Sequence, residues 1–408
     1  MVPWLFGTTE PCGISRKTIT PGNAGLCTES RLLVVHCTQQ IASTNSRLAQ
    51  SYRTLMKCLS KTARRSVTWL LFLSVFLSLG VRADRDQRED WTLNLYVEND
   101  LFSETDQDYT SGIQLSWVSP DISDYVESEE LPAWVRRLNR SLTFFHQSHE
   151  GLERNVTVTL GQQIYTPKDL NETTLIADDR PYAAWLFIGL GYQTRAKDQL
   201  DTLEVQIGIV GPGAYGQEAQ DFIHDLRGFR KFKGWDNQLR NEPGFVATWE
   251  HKQKWKRINP KTRFGYDVIT HSGLSLGNVS TYLNAGAEVR VGWALPDDFG
   301  TSAIRPGGQN STPGSTWDPR FVGKKKGALH AFASFDIRLV GYDIFLDGNS
   351  FKNSHSVTKE SVVADAALGL AYIFGGGRLS YAQVFRSKEF SGQSSSHAYG
   401  SLSLSYTF

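Results

Sequence analysis

From residue 91 onward the chain alternates apolar and polar residues with a period of two. Trp91-Thr-Leu-Asn-Leu-Tyr-Val97 does so, as do Gly112-Ile-Gln-Leu-Ser-Trp-Val118, Val156-Thr-Val-Thr-Leu160 and Leu203-Glu-Val-Gln-Ile-Gly-Ile209. Alternation gives each segment one apolar and one polar face, which is the signature of a strand. Further segments of this kind lie near 183–194, 244–255, 262–274, 279–292, 326–338, 360–374, 377–387 and 398–408, making about twelve in all. An even number of roughly ten-residue amphipathic strands predicts an all-β protein, a transmembrane antiparallel β-barrel. The last strand, Gly400-Ser-Leu-Ser-Leu-Ser-Tyr-Thr-Phe408, puts Leu402, Leu404, Tyr406 and Phe408 on one face and hydroxyl residues on the other. A terminal Phe on such a strand resembles the signal read by the barrel-assembly machinery of Gram-negative outer membranes. A soluble β-sandwich or lipocalin-like barrel is the competing reading. Trp117, Tyr192, Trp255 and Trp293 fall near strand ends, where interfacial girdles would need them.

One segment breaks the rhythm. In 211–228 the period changes from two to 3.6, which predicts a short loop helix with Gln217, Gln220 and His224 on one face and Gly228 as its C-cap. Such a helix either carries a general base against the barrel wall or holds a solvated His. Two other clusters sit at the first hairpin. Glu98-Asn99-Asp100 offers hard oxygen donors suited to calcium, or forms a plain turn. Asp108-Tyr-Thr-Ser-Gly112 would return Thr110 close to Asn99, as a ligand contact or as a partner for a loop amide. The one Gly-x-Ser-x-Gly match, Gly273-Leu-Ser-Leu-Gly277, ends a period-two segment and opens no helix, so it does not read as the nucleophile elbow of a serine hydrolase. His251 and His271 read as isolated, solvated or lumen-facing. Glu360 and Asp365 read as lumen charges, and Pro296–Lys326 as an exposed loop.

Composition adds compartment. The first 83 residues hold ten Lys/Arg and two Asp/Glu of the chain's 43 and 42, so residues 84–408 carry a net charge of −7. That acidic body gives no reason to expect nucleic-acid binding. All four cysteines (Cys12, Cys27, Cys37, Cys58) precede residue 84, as suits a body exposed to an oxidising compartment without disulfides. The run Trp69–Gly80 has the length of a signal-peptide core, with Lys57, Lys61, Arg64 and Arg65 before it and Val81-Arg82-Ala83 after it. The expected organisation is an upstream extension over 1–55, disordered or not translated, a signal peptide over 56–83, and the barrel over 84–408. A membrane anchor is the alternative for the apolar run. No later stretch is apolar for the roughly 18 residues that a helical span needs.

The clusters, in order, resemble the lipid A 3′-O-deacylase family of outer-membrane enzymes (LpxR type). The likeness covers roughly 90–408. It rests on Glu98-Asn-Asp-Leu-Phe102, Asp108-Tyr-Thr-Ser-Gly112, Gln163-Ile-Tyr-Thr-Pro167, Asp179-Arg-Pro-Tyr-Ala183 and Gly208-Ile-Val-Gly-Pro212. Gly216-Gln-Glu-Ala-Gln-Asp-x-x-His224, Gly234-Trp-Asp-Asn-Gln-Leu-x-Asn-Glu-Pro-Gly244 and Asp347-Gly-Asn-Ser-Phe351 complete it. The resemblance implies a twelve-stranded outer-membrane barrel with its site between wall and loop helix. It implies removal of the 3′-linked acyloxyacyl chain of lipid A in lipopolysaccharide, with Ca2+. The catalytic set it implies is Asn99, Asp100, Thr110, Gln220 and His224. His224 would be the base, and Asn99 and Asp100 would lie at the cation. Lys168 and Arg180 are the candidates for substrate phosphates. The rival functions are an outer-membrane phospholipase, or a barrel acting as a channel or structural protein.

Overall fold

In the computed structural model the chain divides into two compact units, Met1–Gln87 and Arg88–Phe408. The residues described are 91–100, 108–122, 124–125, 133–140, 152–258, 262–301, 304, 307–308, 311–314, 318–320 and 327–408. The expected extension over 1–55 and signal peptide over 56–83 lie outside them.

Among the described residues twelve strands close into one antiparallel barrel. They are β1 (Thr92–Asn99), β2 (Asp108–Val118), β3 (Glu153–Thr166), β4 (Ala183–Ala196), β5 (Gln199–Val210) and β6 (Glu242–Ile258). Then come β7 (Phe264–Gly277), β8 (Ser280–Trp293), β9 (Ala328–Asp343), β10 (Val362–Phe374), β11 (Gly377–Arg386) and β12 (His397–Thr407). Each pairs with its neighbours in sequence, and β1 closes the ring on β12 from Thr92↔Thr407 to Asn99↔Gly400. The helices are α1 (Ala133–Arg140), α2 (Gly216–Arg227) and α3 (Ile344–Asp347). Among the described residues no helix is long and apolar enough to cross a membrane. The connections after β1, β3, β5, β7, β9 and β11 share one rim, here the site rim. The start of β1, the end of β12, α1 and the β8–β9 connection share the opposite rim.

The period-two pattern sorts inside from outside as expected. On β12 the inward row His397, Tyr399, Ser401, Ser403 and Ser405 is buried, whereas Leu404 and Tyr406 are exposed. Trp255 and Trp293 are more than half exposed near the opposite rim, and Phe264 packs edge-on against Trp293. Tyr192 is no girdle residue. It lies buried with Ile122, Tyr125, Val135 and Val156, beneath α1.

The lumen is crowded, and the described residues leave a cavity of about 160 Å³ between walls that include Trp185, His271, Phe332 and Arg338. Near the site rim Tyr109, Tyr165, Trp185, Phe187, Phe332 and Tyr399 belong to one buried apolar cluster. Below it the described residues of the 296–326 segment, expected as an exposed loop, fold inward instead. Asp298 and Asp318 have no exposed surface, and Ser311 and Arg320 are buried. The reason is electrostatic. Asp298 bonds the guanidinium of Arg290 on β8, that of Arg320 at 3.0 Å and that of Arg378 on β11 at 2.8 Å. Burial pushes the Asp298 carboxyl up, but these three guanidiniums together hold it well below the usual carboxylate range. Glu98 accepts from the Ile304 amide at 2.7 Å, and Glu204 from that of Gly307 at 2.7 Å. The charged lumen wall therefore draws the connection in and satisfies its backbone. His271, expected as isolated, meets Asp336 at 2.7 Å in the lumen, and His251 meets Asp201 at 3.0 Å on the outer face. Asp365 is a lumen charge as expected, bonded by Arg338 and Arg386. Glu360 is not. It is exposed on the β9–β10 connection.

Two outcomes follow from the Asp298 cluster. Asp298→Ala strands buried guanidiniums, at a cost of about 3–5 kcal/mol. Urea unfolding in detergent should show that loss, and planar-bilayer recordings should show conductance that the wild type lacks. Because the folded carboxyl titrates below the unfolded one, its stabilisation is complete above about pH 4 and is lost only as pH falls further. Wild-type barrels should stay closed between about pH 5 and 8. Opening on mild acidification would refute the assignment.

Candidate active site

The connection between β5 and β6 builds a small domain on the outside of the wall. Pro212–Ala214 form a turn of 3-10 helix, and α2 follows. Gly228, at φ 70°, ends α2 in the left-handed conformation that glycine adopts freely. Gly216, Gln220 and His224 are the buried residues of α2, four apart and therefore on one stripe. Gln217, expected on that face, is exposed. The expected i, i+3, i+7 reading chose the wrong edge of the stripe. A Cβ on Gly216 would stand 2.5 Å from the Ala184 Cβ, so only glycine allows the helix this close to β4. Beyond it Ile164, Tyr182, Ala184, Ala214, Phe232 and Trp235 form a buried cluster between wall and loop.

Two helix residues are fixed by specific bonds. Trp235 Nε1 donates to Gln220 Oε1 at 2.9 Å. The buried Gln220 Nε2 has no hydrogen-bond partner among the described residues. His224 Nδ1 lies 2.6 Å from the Arg230 carbonyl oxygen. A carbonyl only accepts, so Nδ1 carries the proton and Nε2 is the basic nitrogen. Phe229 and Phe232 stand edge-on to the ring, each at 5.9 Å.

The wall supplies the facing residues. Register runs Asn99↔Ser111, Ser111↔Ile164 and Ile164↔Ala184. Opposed residues share a face, and Ile164 and Ala184 pack against the helix side, so Asn99 and Ser111 also face outward. A bulge between Tyr109 and Ser111 inserts Thr110. Its hydroxyl bonds that of Thr166, on the same face of β3 as Ile164, at 2.6 Å. Asp100 is fully buried at the end of β1. Helix α2 starts on β4 and also touches β3. From Gly216 to His224 is about 12 Å along the axis, and two strand spacings are about 10 Å. Thr110 and Ser111 lie on β2, the next strand beyond β3 on the same outer face.

The two basic candidates part company. Lys168 is exposed at the site rim, its Nζ 3.3 Å from Ser394 Oγ. Arg180 is buried on the lumen side, 3.2 Å from Glu389 and over the Tyr165 ring at 5.2 Å. Burial pushes the Glu389 carboxyl up, but Arg180, Arg386 and Arg338 hold it below its usual range. Arg180 braces the rim and does not stand open to a phosphate. Sequence reasoning passed over Arg227, Arg230 and Lys233, which are exposed around the end of α2. Their signal was a basic run directly after His224. It also passed over Trp235 and Ser111.

A protein-family model, outer membrane protein LpxR, matches residues 70–408. The chain belongs to the LpxR family. LpxR from Salmonella typhimurium superimposes with a TM-score of 0.58 at 19% identity, over 78% of this chain and all of that one. The β domain of the Bordetella autotransporter BrkA reaches 0.39 at 9% identity, over 79% of this chain and all of that one. The NalP translocator domain of Neisseria meningitidis reaches 0.33 at 10%, over 85% of this chain and 96% of that one. No curated protein sequence matches the chain. It is a multi-pass outer-membrane barrel, and LpxR membership sets it among outer-membrane enzymes that modify lipid A.

Gly216→Val should lift α2 from the wall and leave the barrel intact. Limited proteolysis should then cut within 211–241, while the twelve-stranded body keeps its resistance to heat and detergent. Unchanged resistance of the loop would mean that the Ala184 contact does not seat the helix.

Proposed function

We propose that this LpxR-family barrel is a calcium-dependent acyl-ester hydrolase that removes the 3′-linked acyloxyacyl chain of lipid A. The observation that carries the proposal is His224. It is buried on the wall side of α2, with its Nδ1 proton directed at the Arg230 carbonyl. A buried imidazole oriented by a backbone acceptor is the arrangement that general-base catalysis needs. In this reading Nε2 takes a proton from water as the oxygen attacks the ester carbonyl carbon. The imidazolium then gives that proton to the departing sugar 3′-oxygen, releasing the fatty acid. Gln220 holds water or substrate through its Nε2 donors, and Thr110 lines the site from the bulge.

The donors near Asn99 suit a hard cation in kind. The Asp100 carboxylate, the Asn99 amide and the Thr110 and Ser111 hydroxyls are all oxygen ligands, of the type calcium accepts together with water. Among the described residues no three His, Cys, Asp or Glu gather to hold a metal, so a cation here would draw on amide, hydroxyl and water oxygens beside the one carboxylate. Asn99 and Asp100 would hold the ion. When bound, calcium polarises the ester carbonyl and stabilises the developing oxyanion. Lys168, with Arg227, Arg230 and Lys233, supplies cations for the phosphates of lipid A. The apolar–polar strand ending in Phe408 supports delivery by the barrel-assembly machinery.

The described residues of the β8–β9 connection that enter the lumen weigh against an open channel. Ser111 favours one second reading, since it shares the outward row with Asn99. A phospholipase would use it as a nucleophile activated by His224.

Mass spectrometry of lipid A from cells expressing the chain tests both. His224→Ala and Asp100→Ala should each lower acyl release by about 10²–10⁴-fold, and chelation should abolish it until calcium is restored. Ser111→Ala should leave release within a small factor. Loss of release in Ser111→Ala, or cleavage of phospholipid alone, would establish the second reading. Full release by His224→Ala would end the proposal.

A further inference from the structure

The edge of α2 turned away from the wall carries three large apolar side chains in the open. Phe222 is 46% exposed, Ile223 38% and Leu226 73%. The opposite edge is acidic, with Glu218, Asp221 and Asp225, the last two spanned by Lys231 at 3.7 and 2.8 Å. Successive residues turn by about 100° around the axis. With the wall direction set at Gln220, Leu226 therefore lies about 120° to one side, and the acidic edge about as far to the other.

Chirality decides which edge faces down. The Ala184 carbonyl accepts from the Gly211 amide, which follows β5, at 3.0 Å. Ala184 points outward on a strand descending from the site rim. In an L-chain such a residue aims its carbonyl to the left when seen from outside. So β5 lies left of β4, β3 lies right, and α2 runs left to right. A right-handed helix on that course presents Phe222, Ile223 and Leu226 toward the barrel's middle, and Asp221 and Asp225 toward the water beyond the rim. Below the apolar edge, the same strands carry the exposed row Leu160, Ile188 and Ile207, joined by register. That row lies four residues from Ile164 and Ala184, about 13 Å down the wall. The apolar edge is thus continuous with the lipid-facing belt.

We propose that α2 is an interfacial helix whose Phe222–Ile223–Leu226 edge is immersed in the fatty acyl chains of the leaflet around the site rim. The acidic edge marks the water boundary, and the helix sits at a fixed depth, as amphipathic interfacial helices do. This claim needs only the barrel and its membrane. Joined to the hydrolase reading, on which this last step rests, it gives the route of the acyl chain. The chain enters sideways from the leaflet, beneath α2, and reaches His224 without crossing water.

The test places a dansylalanine probe at Leu226, or at Asp221, in the full chain reconstituted in phosphatidylcholine bilayers. Bromine on the lipid acyl chains should quench the Leu226 probe several-fold more than the Asp221 probe. Aqueous iodide should do the reverse. Equal iodide quenching at both sites would overturn the proposal. So would quenching of the Leu226 probe by neither reagent, since another protein surface would then cover the edge. Neither readout needs catalysis, so an inactive chain with a lipid-quenched Leu226 probe would sink the hydrolase reading alone. Leu226→Glu adds a functional arm. It should lower acyl release from lipid A in membranes and spare release from a short-chain soluble ester. Equal losses on both substrates would count against lateral entry.

Discussion

A strand amide in hydrocarbon has no water to bond, and that constraint governs everything else in this molecule. It requires that β1 find β12, since any other arrangement leaves two edges bare in lipid. Closure then fixes the alternation. Every second residue of every strand must be apolar for the membrane, and its neighbours are free to be polar because they face a protein interior. The charges that collect there, Arg290, Arg378, Asp267 and Glu288 among them, are too many to leave unpaired. The inward fold of the β8–β9 connection answers that need. Asp298 enters as the shared anion of three guanidiniums, and Glu98 and Glu204 bond the amides of the entering chain.

The same closure explains why the candidate chemistry sits outside the barrel. Tyrosines and other aromatics crowd the lumen near the site rim, and the described residues of the β8–β9 connection enter it from below. The outer wall at the rim is the surface that meets a lipid's ester linkages. The first hairpin and the β5–β6 connection each turn polar residues to that surface. The hairpin does so through the Thr110 bulge, and the connection through the Gly216–Gln220–His224 stripe. Glu98 links the two worlds. Its carboxylate holds the plug at Ile304 and β12 at Ser401, while the next residue, Asn99, faces the outer row.

An enzyme built this way has two immiscible neighbours. Its helix offers an acidic edge to water, an apolar edge to acyl chains and a polar stripe to the wall. Each edge is set by the 3.6-residue turn, so a single twelve-residue element serves three environments. The exposed Arg and Lys side chains around its end fall at the depth where anionic headgroups lie, and long cationic side chains tolerate that boundary well.

The number and order of the strands were legible in the sequence. Period-two alternation is local, and lipid on one side of each strand enforces it without reference to any partner. The helix over 216–227 and its cap at Gly228 were legible too, as was the place of His224 on it. The stripe was read one edge off, at Gln217, because periodicity names a face only to within a turn. The wall contact at Gly216 decides it. Pro296–Lys326 looked like surface because glycine, proline and lysine are cheap in water. Only the folded lumen reveals the three guanidiniums that pull Asp298 inside. Arg180 looked available for a phosphate because nothing within its own segment showed Glu389, 209 residues away, as its partner. The sequence by itself determined a closed sheet and a displaced imidazole, since both follow from local periods. Tertiary structure alone decided which charges meet, which face of the wall the helix covers, and how deep the β8–β9 connection enters, since those depend on groups far apart in the chain.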